Sequence, residues 1–298
     1  MSDDRIFFVA GATGATGAHL TRLLLERGHH VRAFVHRDDG RSQDIARAGA
    51  DVVVGDLRDL DSVSAALHGT NAAYFVYPIA PGLIEATAVF AQAAEEAELA
   101  AIVNMSQISA RRDAGSHAAQ QHWIAERLLD RGVVAVTHLR PTFFAEWLLY
   151  FSGAIAELGV MALPFGNGRH APIAAEDQAH VIAAILQDPQ PHAGKTYTLH
   201  GPVEMDHHEI TAAVSAVLDQ PVRYEPIDYD AFAQQLSNIG MHDHLVQHLR
   251  HVSQDYQHGH FSGTNDIVER VGHKKPMTVA EFVEQHRHAL TAAATVEG

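Results

Sequence analysis

Short apolar runs alternate with longer stretches of helical periodicity through the first half of the chain. RIFFVA (5–10), VRAFVH (31–36), DVVVG (51–55), AAYFVY (72–77), AIVNMS (101–106) and VVAVTHL (133–139) are rich in β-branched and aromatic residues and predict strands. Between them, the recurrence of apolar positions predicts helices over 16–28, 42–49, 59–68, 82–98 and 117–131. Strands apolar along their whole length are covered on both faces, so the alternation predicts βαβ units and an α/β class, doubly wound parallel sheet. Beyond residue 143 the rhythm changes. A helical run over 143–158 precedes the loop PFGNGRHAPI, then a helix near 176–187 and the strand KTYTLHG. The remainder reads as mostly helical, with Asp206 of DHHE and Thr278 of TVAE predicted as helix caps. The expected organisation is one domain over 1–150, with returning segments near 176–200, and a smaller lobe over 151–298.

Composition narrows the partners. The chain has 298 residues, 47% of them hydrophobic, which is ample for a core. Its formal charge is −15, from 21 basic and 36 acidic residues, so a nucleic-acid partner is not expected. Cysteine is absent, which excludes disulfides, thiolate catalysis and Cys-ligated metals. The start, MSDDRIFFVAGATG, is acidic and then briefly apolar, unlike a secretory signal. No apolar run reaches the roughly 18 residues of a membrane span, so a cytoplasmic location without membrane association is expected.

The strongest motif is VAGATGATG, which follows the first strand and opens the first helix. Gly11, Gly14 and Gly17 let backbone approach a pyrophosphate, while the helix start offers unpaired N–H groups and the positive end of its dipole. This is the dinucleotide cradle of a Rossmann fold. Arg37, twenty residues beyond Gly17, stands where an NAD site carries an acid, and Arg41 follows closely, so NADP(H) is expected ahead of NAD(H). Asp38 and Asp39 lie just past that position and weaken the preference. In VVVGDLRDLDSV, Asp56 and Leu57 are placed to meet adenine through a carboxylate and an apolar contact.

GATGATG, GDLRDLDSVSAAL, HWIAERLL, LRPTFF and TVAEFVEQH, in this order over nearly the whole chain, resemble the NmrA-like branch of the atypical short-chain dehydrogenases/reductases, nearest to its quinone and triphenylmethane reductase type. The resemblance implies a Rossmann domain, a small substrate lobe and NADP(H). It puts the phosphate loop on Gly11, Thr13, Gly14, Ala15, Thr16 and Gly17, the 2′-phosphate contact on Arg37 and the adenine pocket on Asp56 and Leu57. It puts the segment beneath the ribose on Val76, Tyr77 and Pro78, and the loop near the nicotinamide on Pro141, Thr142 and Phe143. Tyr77 is bulkier than the family's usual residue there. The branch also contains a transcriptional co-regulator that binds dinucleotide, so a sensor without turnover is the alternative function, and a tailoring reductase of specialised biosynthesis a third.

The helix over 117–131 lacks the superfamily's catalytic pair. Taking Glu126 as the register, the Lys position falls on His122 and the Tyr position on Ala118, and no Tyr-x-x-x-Lys occurs anywhere in the chain. Hydride delivery to a simple ketone creates an alkoxide whose conjugate acid resembles water, with a pKa of about 15.7. A quinone yields a phenolate-type anion, with a parent pKa of about 10, and a cationic acceptor needs no proton. The missing acid therefore favours a quinone-like or other conjugated aromatic acceptor. Candidate catalytic residues are His122, Ser106 and Gln107, with Ser109 as the alternative serine. Phe143, Phe144, Trp147 and Tyr77 are expected to line the substrate site. His242, His244, His248 and His251 have helical spacing, yet no His-Glu-x-x-His motif accompanies them and no metal is expected.

Overall fold

A computed structural model describes residues 5–291; the acidic start at 1–4 and the end at 292–298 lie outside the described residues. The first half runs β1 (Ile6–Ala10), α1 (Ala15–Glu26), β2 (His30–Val35), α2 (Gly40–Arg47), β3 (Asp51–Val54), α3 (Leu60–Leu67), β4 (Ala72–Phe75), α4 (Leu83–Glu96), β5 (Ala101–Met105), α5 (His117–Leu129) and β6 (Ala135–Pro141). The second half runs α6 (Trp147–Tyr150), α7 (Ser152–Leu158), β7 (Val160–Leu163), β8 (Arg169–His170), α8 (Ala175–Gln187), β9 (Thr196–Leu199), β10 (Met205–Asp206), α9 (His207–Leu218) and β11 (Arg223–Pro226). It ends with α10 (Tyr229–Asn238), α11 (Asp243–Gln257), α12 (Ile267–Arg270), α13 (Val279–Gln285) and α14 (Arg287–Thr291).

Seven parallel strands form one sheet in the order β3-β2-β1-β4-β5-β6-β9. The strands feed two cores by their two-residue period. Phe7, Val9, Val31, Ala33, Tyr74 and Val103 face α1, α8 and α12, whereas Phe8, Phe34, Ala73, Phe75 and Ile102 face α3 and α4. The order in which strands are added reverses between β1 and β4, and the crevice beyond the carboxyl ends of those strands is where an open α/β sheet takes a ligand. A further apolar cluster joins Leu148, Ile155 and Phe165 to Ile210, Leu249, Val252 and Phe282.

The second half departs from the expected pattern in two places. The predicted helix over 143–158 is broken. Phe144 pairs with Ile173 as an isolated parallel bridge, with Ala145 N–H donating to Ile173 C=O at 2.9 Å, and only then do the short α6 and α7 follow. The mostly helical remainder also contains β7, paired parallel with β11, and β8, paired antiparallel with β10. Both predicted caps form full capping boxes, Asp206 with Glu209 and Thr278 with Glu281.

Candidate active site

Two cavities meet at Val76, Tyr77 and Pro78, the segment that leaves β4. One, of about 580 Å³, is walled by the glycine loop, the end of β2 and the β3–α3 turn. The other, of about 430 Å³, lies between the ends of β5 and β6 and the inward face of α11.

The glycine loop is built for close approach. Gly11 sits at φ +57°, and a Cβ there would stand 2.9 Å from Val76 Cγ1. At Gly17 a Cβ would stand 2.2 Å from the Gly11 carbonyl, so only glycine lets α1 start this close to β1. Gly14 is the N-cap of α1 and supplies no side chain, which leaves the first-turn N–H groups uncapped at the positive end of the helix. This is a cradle that fits a pyrophosphate. Gly11, Thr13 and Gly14 line it; Ala15 lines the second cavity, while Thr16 and Gly17 are buried beneath the loop.

The base end differs from expectation. Arg37 is exposed and does not line the cavity; His36 and Arg41 do. Strand β2 ends at Val35, so His36 and Arg37 lie in the bend that follows it, with His36 in the cavity wall and Arg37 outside it. Asp38 and Asp39 are engaged at the start of α2, where Asp39 accepts the Arg41 and Ser42 backbone N–H groups and Asp38 accepts the Ser42 hydroxyl at 2.9 Å. Asp56 and Leu57 line the cavity. Arg58 sits 2.8 Å from Asp56 and, with its own backbone N–H, holds that carboxyl down at about 2.

The second cavity gathers Ser106, Gln107, Ser109 and His122 with Pro141, Thr142, Phe143, Phe144, Trp147 and Tyr77. Aromatic contacts stiffen its wall: Phe143 meets Trp147 edge to face at 5.4 Å and stacks on Phe261 at 5.0 Å. Several polar atoms there are buried without a protein partner, namely Ser106 Oγ, Gln107 Nε2 and Thr142 Oγ1. Such orphans are rare in folded proteins. Gln107 Oε1 is already used, accepting the Ser109 hydroxyl at 2.6 Å, while its amide nitrogen, buried in the cavity wall, has no protein partner.

Glu126 does not take part. It is fully buried and paired with Arg140 at 2.8 Å, which fixes α5 against β6. One turn earlier His122 lines the cavity, and burial pushes its imidazole down to about 4. A further turn back, Ala118 is buried and stands off the cavity. The carboxyl that does reach the wall, Glu146, went unnoticed in the sequence. Its Oε1 accepts the Ala175 N–H at 2.9 Å and so caps α8, which lacks a cap of its own, while burial raises its pKa.

Sequence reasoning also missed the contribution of α11. Leu245, His248, Leu249 and Val252 recur at i, i+3, i+4 and i+7 and all line the cavity. That stripe is legible as a helical period, but four histidines at similar spacing overlap it. They diverge: His242 caps α11, His251 meets Gln254 at 3.1 Å, and His248 bonds to Ser116 at 2.8 Å. Among the described residues no group of three or more His, Asp or Glu is arranged to hold a metal, and no helix is long and apolar enough to cross a membrane.

Comparison with known proteins follows the same lines. Residues 3–283 match the family described as the NmrA-like family. An NAD(P)H azoreductase of Xenophilus azovorans is 30% identical over 290 residues, which is 97% of this chain and the whole of that protein. A quinone oxidoreductase of Escherichia coli, NADPH-dependent and solved with NADPH, superposes with a TM-score of 0.82 at 23% identity, covering 94% of this chain and 99% of its own. A triphenylmethane reductase of a Citrobacter species, solved with NADP(H), gives 0.81 at 21% identity over 94% of this chain and 99% of its own.

Proposed function

The chain belongs to the NmrA-like family, and on that premise we propose that it is an NAD(P)H-dependent reductase of conjugated aromatic acceptors, quinone-like compounds foremost. The observation that carries this reading is an aromatic-walled cavity that abuts the glycine cradle yet lacks the Tyr–Lys pair. The uncapped start of α1 would hold the pyrophosphate, Arg41 and His36 a 2′-phosphate, and Asp56 with Leu57 the adenine side. Ser106, Gln107 and Thr142, whose buried polar atoms lack partners, would hold the nicotinamide end. A reduced nicotinamide supplies a hydride, and the protein supplies orientation and exclusion of water.

What the side chains cannot do limits the acceptor. His122, held neutral by burial, is no imidazolium acid at neutral pH. Glu146 spends one oxygen on the start of α8, and its other is enclosed in the wall. An alkoxide formed here would lack a positioned proton; a phenolate-type anion or a neutralised cation would not need one as strongly. The curated azoreductase relative, over its whole length, supports an electron-poor conjugated acceptor.

Steady-state oxidation of NADPH and NADH against simple ketones, quinones, azo compounds and cationic dyes tests the reading. Turnover is expected with the conjugated acceptors and not with the ketones. Ketones reduced as fast as quinones would overturn the missing-acid argument. Tight NADPH binding without turnover of any acceptor would favour a sensor or a narrowly specific tailoring reductase.

A further inference from the structure

The second cavity holds a polar group that the proposed chemistry has not yet used. His248 lies on the inward face of α11, buried, beside Leu249 and across from His122. Its Nδ1 is 2.8 Å from Ser116 Oγ. That hydroxyl is also the N-cap of α5 and accepts the Ala119 N–H at 3.1 Å. Having accepted there, its own proton is best satisfied on His248 Nδ1, which makes Nδ1 the acceptor and leaves the ring proton on Nε2. The structure records no protein partner for Nε2 among the described residues.

The ring is held from both sides of its helix. Arg111 grips Asp255 through two bonds of 2.7 and 2.6 Å, and Gln247 spans the Gly115 carbonyl at 3.0 Å and the His117 N–H at 3.1 Å. Gly115 is the close-approach point: a Cβ there would stand 2.4 Å from His251 Nδ1. These contacts fix the rotation of α11 over the cavity, as a donor needs in order to act without reorganising.

We propose that the Nε2–H of His248, set by Ser116, is the hydrogen-bond donor to the acceptor's oxygen as negative charge gathers on it, in place of the hydroxyl missing from α5. The inference rests on the reductase reading above. The step balances without proton loss from the ring: hydride from the nicotinamide adds to the quinone, its electron pair reduces the ring, and the monoanion remains hydrogen-bonded to His248. The second proton of the hydroquinone then comes from water at the mouth, beside exposed Tyr150. A neutral imidazole keeps its N–H against a phenolate, so His248 stabilises the anion and does not protonate it. Burial and the neighbouring His122 keep the ring neutral at physiological pH.

The test uses the full chain with NADPH and compares His248→Phe, His248→Gln and Ser116→Ala with wild type. The ratio of quinone to cationic-dye kcat/KM is expected to fall tenfold or more in H248F, since the dye cation gathers no oxyanion. S116A should fall less, and H248Q, whose amide offers N–H near Nε2, should recover most of the ratio. An unchanged ratio in H248F and S116A would overturn the proposal; so would loss in H248Q as deep as in H248F. A loss confined to Glu146→Gln would move the role to that carboxyl. A second readout needs no turnover. 4-Nitrophenol bound beside NADP+ is titrated by absorbance, and its pKa should be lower in wild type than in H248F; equal values would overturn the donor role. Wild type that binds NADPH, reduces neither quinone nor dye, and still lowers the nitrophenol pKa would sink the reductase reading and leave the donor standing.

Discussion

At the scale of single residues, the glycine cradle and the base end of the same cavity rest on different kinds of constraint. Gly11 and Gly17 are dictated by space, since a methyl group would strike Val76 or the Gly11 carbonyl. Arg41 is placed by the start of α2, where it lines the cavity with its guanidinium 2.8 Å from Asp39, whereas Arg37 does not line it. A charged contact to a phosphate contributes about 1.5–3 kcal/mol. Arg41→Ala should therefore raise the Kd for NADPH by roughly tenfold or more and leave NADH nearly unchanged, whereas Arg37→Ala should do little to either. Fluorescence titration of the two variants with both cofactors checks this. An equal or larger effect at Arg37 would restore the position that counting residues from the glycines suggests.

At the scale of elements, the interior histidines set how stability responds to acid. His122 and His207 are pushed down to about 4, His248 to about 3, and His170 well below its ordinary value, all chiefly by burial. In the unfolded chain these rings titrate near 6.5. Below that pH the unfolded state takes up protons that the folded state refuses, so stability is full above 6.5 and declines as pH falls toward the folded values. Each site contributes a slope approaching about 1.4 kcal/mol per pH unit well below 6.5. Urea midpoints should fall steeply between about pH 6.5 and 5, and His122→Asn should flatten that slope by one site's share.

The elements also differ in how far they could be read in advance. Strands β1 to β6 and helices α1 to α5 follow from apolar runs and periodicity, because each pattern is local. The helix expected over 143–158 failed because Phe144 found Ile173, a partner nearly thirty positions on, and pairing there outweighed a run of good helix formers. The glycine loop was legible as a motif. The donor on His248 was not, because the serine that sets its tautomer lies 132 positions away.

At the scale of the whole molecule, two facts stand out. A protein of formal charge −15 must take a polyanionic cofactor against its own field, so on the proposed reading binding would fall to the local helix end, His36, Arg41 and Arg58. The segment after α12 is tied back to α8 by a half-buried pair: partly exposed Lys274 stands 2.5 Å from Asp177, which is fully buried and also accepts the Met277 N–H at 2.8 Å. Removing the lysine leaves a buried carboxylate without its cation, which destabilises the fold by less than the about 3–5 kcal/mol of a fully buried pair, because Lys274 is partly exposed. Lys274→Met should lower the thermal midpoint markedly, while Asp177→Asn combined with it should recover part of the loss; scanning calorimetry of the three proteins decides it.

The division of the second cavity between sheet and α11 has a consequence for how such proteins diversify. On the proposed reading, the glycine cradle and the ends of β5 and β6 would set where reducing power arrives, and the stripe Leu245, Leu249 and Val252, carried on α11, would shape what receives it. On that reading, change along α11 would try new acceptors while the sheet end stays intact, with Leu249 and Val252 constrained by their place in the apolar cluster with Phe165 and Phe282. A combinatorial library confined to that stripe would retrace the same route in the laboratory.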